Sequence, residues 1–289
     1  MDKQLFDSLS DKHKDIYSRL IMEVDTDISL DSVILSDENK EKVQKLITET
    51  KYKDKFLKYG FKPVNRMLNY GASGTGKTFL TKALANYFGY EMLYIDIAKA
   101  LSTGTAAQAL EEIFDLGNAI GKAVIFLDEC DAIARRRDMK EANEDPSVRR
   151  ANNALFQLLD QMNPNCLFVS ATNLVNELDA AFYRRFNLKL EFFRPSLDSI
   201  DETINKFKKD DFTIIGDMDK RIKEILLWHA RNYTSLSYFE IQDWVERAEK
   251  NAIISDTLDV SESEIYGYFM QSMRVKVGYN EDGSPYLYQ

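Results

Sequence analysis

Two periods of apolar residues alternate along this chain, and one of them stops about two thirds of the way through. Up to residue 195, short apolar runs of strand length recur: "RMLNY", "EMLYIDI", "AVIFLD", "CLFVSAT" and "LKLEFF". Several are apolar at consecutive positions, as expected of strands covered on both faces in a parallel sheet. Between them, "GKTFLTKALANYF", "TAAQALEEIFDLGNAI" and "VRRANNALFQLLDQM" carry apolar residues at helical spacing; Leu110, Phe114 and Gly117 fall on one side of the second. Strands and helices in alternation predict a doubly wound α/β sheet.

After Pro195 the strand-like runs end. "DSIDETINKFKK", "DKRIKEILLWHARNY", "YFEIQDWVERAEKNAII" and "ESEIYGYFMQSMRV" read as four helices, and Ser237 with Glu240 forms a capping box ahead of the third. The pattern predicts a small all-α domain behind the sheet. At the other end, Leu5, Leu9, Ile16, Leu20 and Val24 lie at roughly helical spacing, interrupted by charge. The expected organisation is an accessory helical segment over 1–29, an α/β domain over 30–195, a helical domain over 196–276 and a turn-rich tail over 277–289.

Composition narrows the class. With 289 residues and 44% hydrophobic content the chain can fill real cores. No apolar run is long enough to cross a bilayer, and the charged start "MDKQLFDSLSDKHKD" is unlike a signal peptide, so a cytoplasmic protein without membrane contact is expected. Cys130 and Cys166 lack metal-ligand spacing, and two histidines cannot complete a cluster; both thiols read as small buried residues. A net charge of −9 opposes a broad nucleic-acid surface. The arginines at 135, 136, 137, 149 and 150 are interspersed with acids, which fits a solvated edge.

The chemistry is concentrated in four places. "GASGTGKTF" (Gly71, Ala72, Ser73, Gly74, Thr75, Gly76, Lys77, Thr78, Phe79) satisfies G-x-x-x-x-G-K-[ST] between a strand and a helix. Such a loop wraps backbone N–H groups around nucleotide phosphates, Lys77 reaching the terminal phosphates and Thr78 a Mg²⁺ ion. "AVIFLDECDA" ends a strand in Asp128 and Glu129, suited respectively to holding the metal and polarising an attacking water. "LFVSATN" ends in Ser170, Thr172 and Asn173; an amide at Asn173 either orients that water or forms a turn. Arg184 and Arg185 follow "LDAAF", either as a solvated pair or as cations supplied to a neighbouring subunit's phosphates.

Taken in order, "GASGTGKT", "VIFLDECDA", "SATN" and "LDAAFYRRF" resemble the AAA+ ATPases, AAA branch proper, over roughly residues 30–252. The A-x-x-R-R-F form is similar to the katanin and spastin type and to small bacterial AAA ATPases. The resemblance implies a P-loop ATPase fold followed by a helical lid. Lys77 and Thr78 match the Walker A pair, Asp128 and Glu129 the Walker B pair, Asn173 the sensor and Arg184 with Arg185 the arginine fingers. Val33 and Ile34 match the segment that touches adenine. It also implies ATP or ADP with Mg²⁺ as cofactors, a nucleotide-dependent homo-oligomer, usually a hexamer, and a protein substrate or partner.

Three features qualify that picture. In "ALSTGT" no aromatic precedes Gly104, where the family grips a threaded polypeptide, leaving Leu101 as a weaker paddle. "SYFEI" places Tyr238 and Phe239 where the family has a Gly-Ala pair against the nucleoside. The terminal "LYQ" resembles the docking motif of proteasomal ATPases, a three-residue likeness that chance also supplies. The expected function is therefore a ring ATPase that remodels a protein. An ATP-switched module controlling a partner such as a protease, without threading, is the alternative, and a nucleic-acid-associated ATPase the lesser one.

Overall fold

A computed structural model describes residues 3–136, 146–231 and 236–288. Arg137, one of the arginines noted above, and Gln289 lie outside the described residues. The chain divides into two compact units, one of Met1–Ala72 with Gly76–Phe192, the other of Ser73–Thr75 with Phe193–Gln289.

The first unit is built on a six-stranded sheet of β1 (Ile21–Met22), β2 (Arg66–Gly71), β3 (Glu91–Ile95), β4 (Ala123–Leu127), β5 (Leu167–Thr172) and β6 (Leu188–Phe192). Its spatial order is β1-β3-β4-β5-β2-β6, and every pairing is parallel except that of β1 with β3. Helices α1 (Lys3–Ser8), α2 (Asp11–Leu20), α3 (Asp37–Lys51), α4 (Lys53–Lys58), α5 (Lys77–Phe88), α6 (Ile97–Ser102), α7 (Ala106–Ile120), α8 (Asp131–Ala134), α9 (Pro146–Asp160) and α10 (Ala180–Arg184) surround it. All five residues of β4 are buried, and they divide by parity. Ala123, Ile125 and Leu127 enter a core with α2, α7 and α9, whereas Val124 and Phe126 enter one with α3 and α5. Each such large side chain taken out of water contributes about 1.5–3 kcal/mol.

Close approach of α7 to the sheet depends on Gly117, where a Cβ would stand 2.9 Å from Ile125 Cδ1. The two accessory helices belong to this unit. Ser10 caps α2, Ile16 and Tyr17 are buried, and Lys12–Asp115 and Arg19–Glu112 contacts of 2.7 Å tie α2 to α7. Both thiols are buried: Cys130 follows β4 and Cys166 precedes β5.

The second unit contains α11 (Ile200–Phe207), β7 (Thr213–Ile215), α12 (Lys220–Ala230), α13 (Tyr238–Ile254), β8 (Asp259–Ser261), α14 (Glu262–Met273), β9 (Lys276–Tyr279) and β10 (Pro285–Tyr288). Its core centres on Ile204, Leu226, Ile241 and the stacked rings of Trp244 and Phe269, 5.0 Å apart. Ser237 Oγ accepts the Glu240 N–H at 3.2 Å and donates to the Glu240 carboxylate at 3.0 Å.

The expectation that strands stop at Pro195 is corrected here. β7 pairs with β8 in parallel, and β9 forms an antiparallel hairpin with β10. These strands are three or four residues long, too short for an alternation to stand out from the helices beside them. Leu287 and Tyr288 of "LYQ" are paired with Val277 and Lys276. No helix among the described residues is long and apolar enough to cross a membrane.

Candidate active site

The strand order places the carboxyl ends of β3, β4, β5 and β2 side by side, which is where an open parallel sheet collects ligand-binding residues. At the end of β2, Gly71 has φ 139°, and a Cβ there would meet the Phe192 carbonyl oxygen at 2.1 Å. Only glycine fits that position. The loop continues through Gly74 and Gly76, also at positive φ, into α5, whose first-turn N–H groups form the positive end of a 12-residue helix. Asn69, fully buried, braces this junction by donating to the Lys77 carbonyl at 3.2 Å and to Thr81 Oγ1 at 3.3 Å.

Lys77 is buried, and its ammonium donates to Gly71 O at 2.9 Å, Ala72 O at 2.6 Å and Asn173 Oδ1 at 2.8 Å. Burial lowers its pKa, against the opposing pull of the Asp128 charge. The loop lysine and the amide at the end of β5 are thus in direct contact. Thr78 Oγ1 donates to Asp128 Oδ2 at 3.2 Å, joining the first turn of α5 to the end of β4. A hydroxyl beside a carboxylate, both hard oxygen donors, suits a Mg²⁺ ion.

Sequence reasoning missed Tyr94. Its hydroxyl donates to Asp128 Oδ2 at 3.3 Å, its ring stacks on Phe126 at 5.2 Å, and burial first, then Asp128, pushes its pKa up to about 12. Asp128 Oδ1 in turn accepts the Glu129 N–H at 3.0 Å. No motif marks the tyrosine; only its place near the end of the strand beside β4 could have drawn notice. Glu129 itself is exposed and held at φ 49°, a left-handed conformation that costs a non-glycine residue about 1 kcal/mol.

The polar group after β5 splits by role. Ser170 donates to Leu127 O at 3.2 Å, fastening β5 to β4, and Thr172 to Asp131 Oδ1 at 2.6 Å, fastening β5 to the start of α8. Asn173 is exposed and reaches Lys77. The adjacent arginines differ as sharply. Arg185 makes a two-pronged contact with Asp160 at 2.9 and 3.1 Å, donates to Ala181 O and lies 4.4 Å over the Phe156 ring. Arg184 is exposed, and its one contact among the described residues is Nε to Ala180 O at 3.1 Å.

The remaining candidates are more dispersed. Val33 is buried in the core of α3 and α5, with Phe79 packed against it, while Ile34 is half-buried. Ser73, Gly74 and Thr75 belong to the second unit. There, Tyr238 sits 6.4 Å from Phe207, and Phe239 is exposed. The idea of Leu101 as a paddle is corrected: it packs partly against the core beneath α6. Ser102 and Thr103 fold their hydroxyls onto Lys99 O and Ala100 O.

Residues 67–194 match the ATPase family associated with various cellular activities (AAA). The chain is an AAA+ ATPase. It is 29% identical over 251 residues to the uncharacterized AAA family ATPase y4kL of Sinorhizobium fredii, covering 85% of this chain and 72% of that protein. A proteasome-activating nucleotidase of Methanopyrus kandleri is 31% identical over 209 residues, 69% of this chain and 48% of its own. The ATP-dependent zinc metalloprotease FtsH 1 of Alkaliphilus metalliredigens is 29% identical over 192 residues, 64% and 32% respectively. The chain thus spans a half or less of the last two relatives. The domain match assigns residues 67–194 to the ATPase module of this family.

Proposed function

We propose that this AAA+ ATPase hydrolyses Mg²⁺-ATP at sites shared between copies in a nucleotide-dependent ring, usually a hexamer in the family, and uses the cycle to remodel a protein partner. Residues 71–79 cradle the phosphates, and Val33 and Ile34 flank the base. Thr78 and Asp128 would hold Mg²⁺, which supplies charge neutralisation on the phosphates. Glu129 polarises the attacking water and Asn173 orients it. Arg184 acts on the neighbouring copy's phosphates, while Arg185 fixes the helix that carries it.

The observation that carries this reading is the difference between the arginines. One is committed to Asp160 and Phe156, and its neighbour is exposed with no acidic partner among the described residues. A protein as partner is supported by the nucleotidase and metalloprotease relatives. A second reading, an ATP-switched module that controls a partner such as a protease without threading it, draws on the loop before Gly104, which offers no aromatic.

Light scattering of Glu129→Gln with and without Mg²⁺-ATP tests the ring. A nucleotide-dependent rise in mass is expected, and a monomer under both conditions would sink the shared-site reading. Unfolding of a tagged model substrate separates remodelling from switching.

A further inference from the structure

The first unit carries two charged surfaces that the reaction does not use. Residues 51–62, "KYKDKFLKYGFK", hold five lysines and one acid in a chain of net charge −9. Lys40, Lys42 and Lys45 on α3 each pair with an acid one turn away. Lys51, Lys53, Lys55, Lys58 and Lys62 make no ion pair among the described residues. Between these lysines Tyr59 and Phe61 are 67% and 66% exposed on either side of Gly60, which turns the chain at φ 79°. Side chains so exposed project outward, as a knob, and large apolar rings left in water mark an interaction surface.

The complementary surface lies in residues 20–39, which contain no lysine or arginine. Glu23, Asp25, Asp27 and Asp31 are exposed and make no ion pair among the described residues, while Val24, Ile28 and Leu30 between them pack inward. Glu23 and Asp25, with Tyr17, Glu91 and Met92, line an open cavity of about 440 Å³. That size lies within the range of ordinary ligand pockets, with room for an aromatic ring and a lysine head.

The two surfaces are neighbours in the fold but do not meet within one molecule. Lys53, at the root of the lysine segment, donates to the Tyr90 hydroxyl at 3.0 Å, next in the chain to Glu91 of the cavity. Tyr59 and Phe61 nevertheless stay exposed, and no ion pair joins Lys58 or Lys62 to Glu23 or Asp25 among the described residues. Knob and cavity are different patches, so matching them between two copies joins unlike surfaces. This is a head-to-tail contact, the kind that propagates into a ring or filament.

We infer that the 57–62 knob of one copy docks into the acidic cavity of the next, Lys58 and Lys62 meeting Glu23 and Asp25 while Tyr59 or Phe61 packs beside Val24 and Met92. The inference rests on the oligomer reading above for its setting. The contact involves none of the nucleotide-binding residues, so the two fail separately.

Two full-length variants test it: a knob variant, Lys58→Glu with Lys62→Glu, and a cavity variant, Glu23→Lys with Asp25→Lys. Binding of a fluorescent ATP analogue to each checks that the fold is intact. In sedimentation velocity each variant alone should associate at least tenfold more weakly than the unaltered chain, with the contrast shrinking as salt rises. An equimolar mixture should regain association, because the acidic knob of one fits the basic cavity of the other and the native knob fits the native cavity. Unchanged assembly of either variant, or a mixture no better than its components, overturns the docking. So does an unaltered chain that stays monomeric at every concentration, with or without ATP. Binding of the unaltered chain to phosphatidylserine vesicles or single-stranded DNA that Lys58→Glu with Lys62→Glu abolishes, with assembly unchanged, gives the knob to a different occupant. If mixing fails while Arg184→Ala still stops hydrolysis, the shared site stands and this contact falls; the reverse pair of results rejects the shared site alone.

Discussion

Replacing the two adjacent arginines one at a time should separate folding from turnover. Arg185→Ala removes a two-pronged contact to Asp160 and a guanidinium stacked on Phe156. The Asp160 side chain is 54% exposed, so solvent screens the ion pair and it is worth no more than about 1 kcal/mol. The stacking adds about 0.5–1 kcal/mol. The loss of about 1–2 kcal/mol should lower Tm by roughly 2–5 °C in a domain of this size. Arg184→Ala removes one backbone contact from an exposed side chain, and its effect on stability should lie within about 0.5 kcal/mol. If Arg184 serves a neighbouring copy's phosphates, however, turnover should fall by about 10³-fold with nucleotide affinity nearly unchanged. Calorimetric melting and steady-state phosphate release, both measured at concentrations where the chain is assembled, give the comparison. An Arg184→Ala protein that turns over normally, or an Arg185→Ala protein that melts like the parent, refutes the division of labour.

Three further outcomes are expected. Glu129→Gly relieves the left-handed strain at φ 49° and should raise stability by about 1 kcal/mol while abolishing hydrolysis; a lower Tm would argue that the side chain, not the backbone, is what the fold tolerates there. Tyr94→Phe keeps the stack on Phe126 but removes the hydrogen bond to Asp128, and by analogy with outer-shell partners of metal ligands should raise the Mg²⁺ concentration for half-maximal turnover about tenfold. An unchanged Mg²⁺ titration would make the contact incidental. The third concerns pH. The Lys12 contact, with His13 adding to it, holds the Asp115 carboxyl below its ordinary value of 3.8. A depressed carboxyl contributes stability that is present above that value and is lost as pH falls through the lowered one. Hydrogen exchange of α2 amides should therefore accelerate below pH 3.8 beyond the change in chemical rate, and equal protection at pH 3 and pH 6 would refute it.

How far the molecule could be read in advance depended on burial and length. The five parallel strands were legible because β4 and its neighbours are apolar on both faces and bounded by turn residues. α13 begins at Tyr238 because Ser237 and Glu240 cap it as their spacing predicts. β1 has two residues and β7 three, so no periodicity could announce them. At the site, Lys77, Asp128 and Glu129 stood out because local motifs position them. Tyr94 and Asp131 were invisible because their partners, Asp128 and Thr172, come from other strands and only the folded sheet brings them near. The different commitments of Arg184 and Arg185 also needed the fold, since Asp160 lies 25 residues from Arg185 in the chain.

The two cysteines give this protein a built-in clock. Cys130 lies just past the carboxyl end of β4 and Cys166 just before the opposite end of β5; both are buried, and burial pushes the Cys130 thiol up to about 12. A thiol reagent attacks the thiolate, so neither sulfur can be tagged until its surroundings part. The labelling rate at each position then reports how often that end of the sheet comes open. A Cys130 that labels faster than Cys166, and slows when ATP is added, would show the carboxyl edge breathing apart from the rest of the sheet, with no engineered probe.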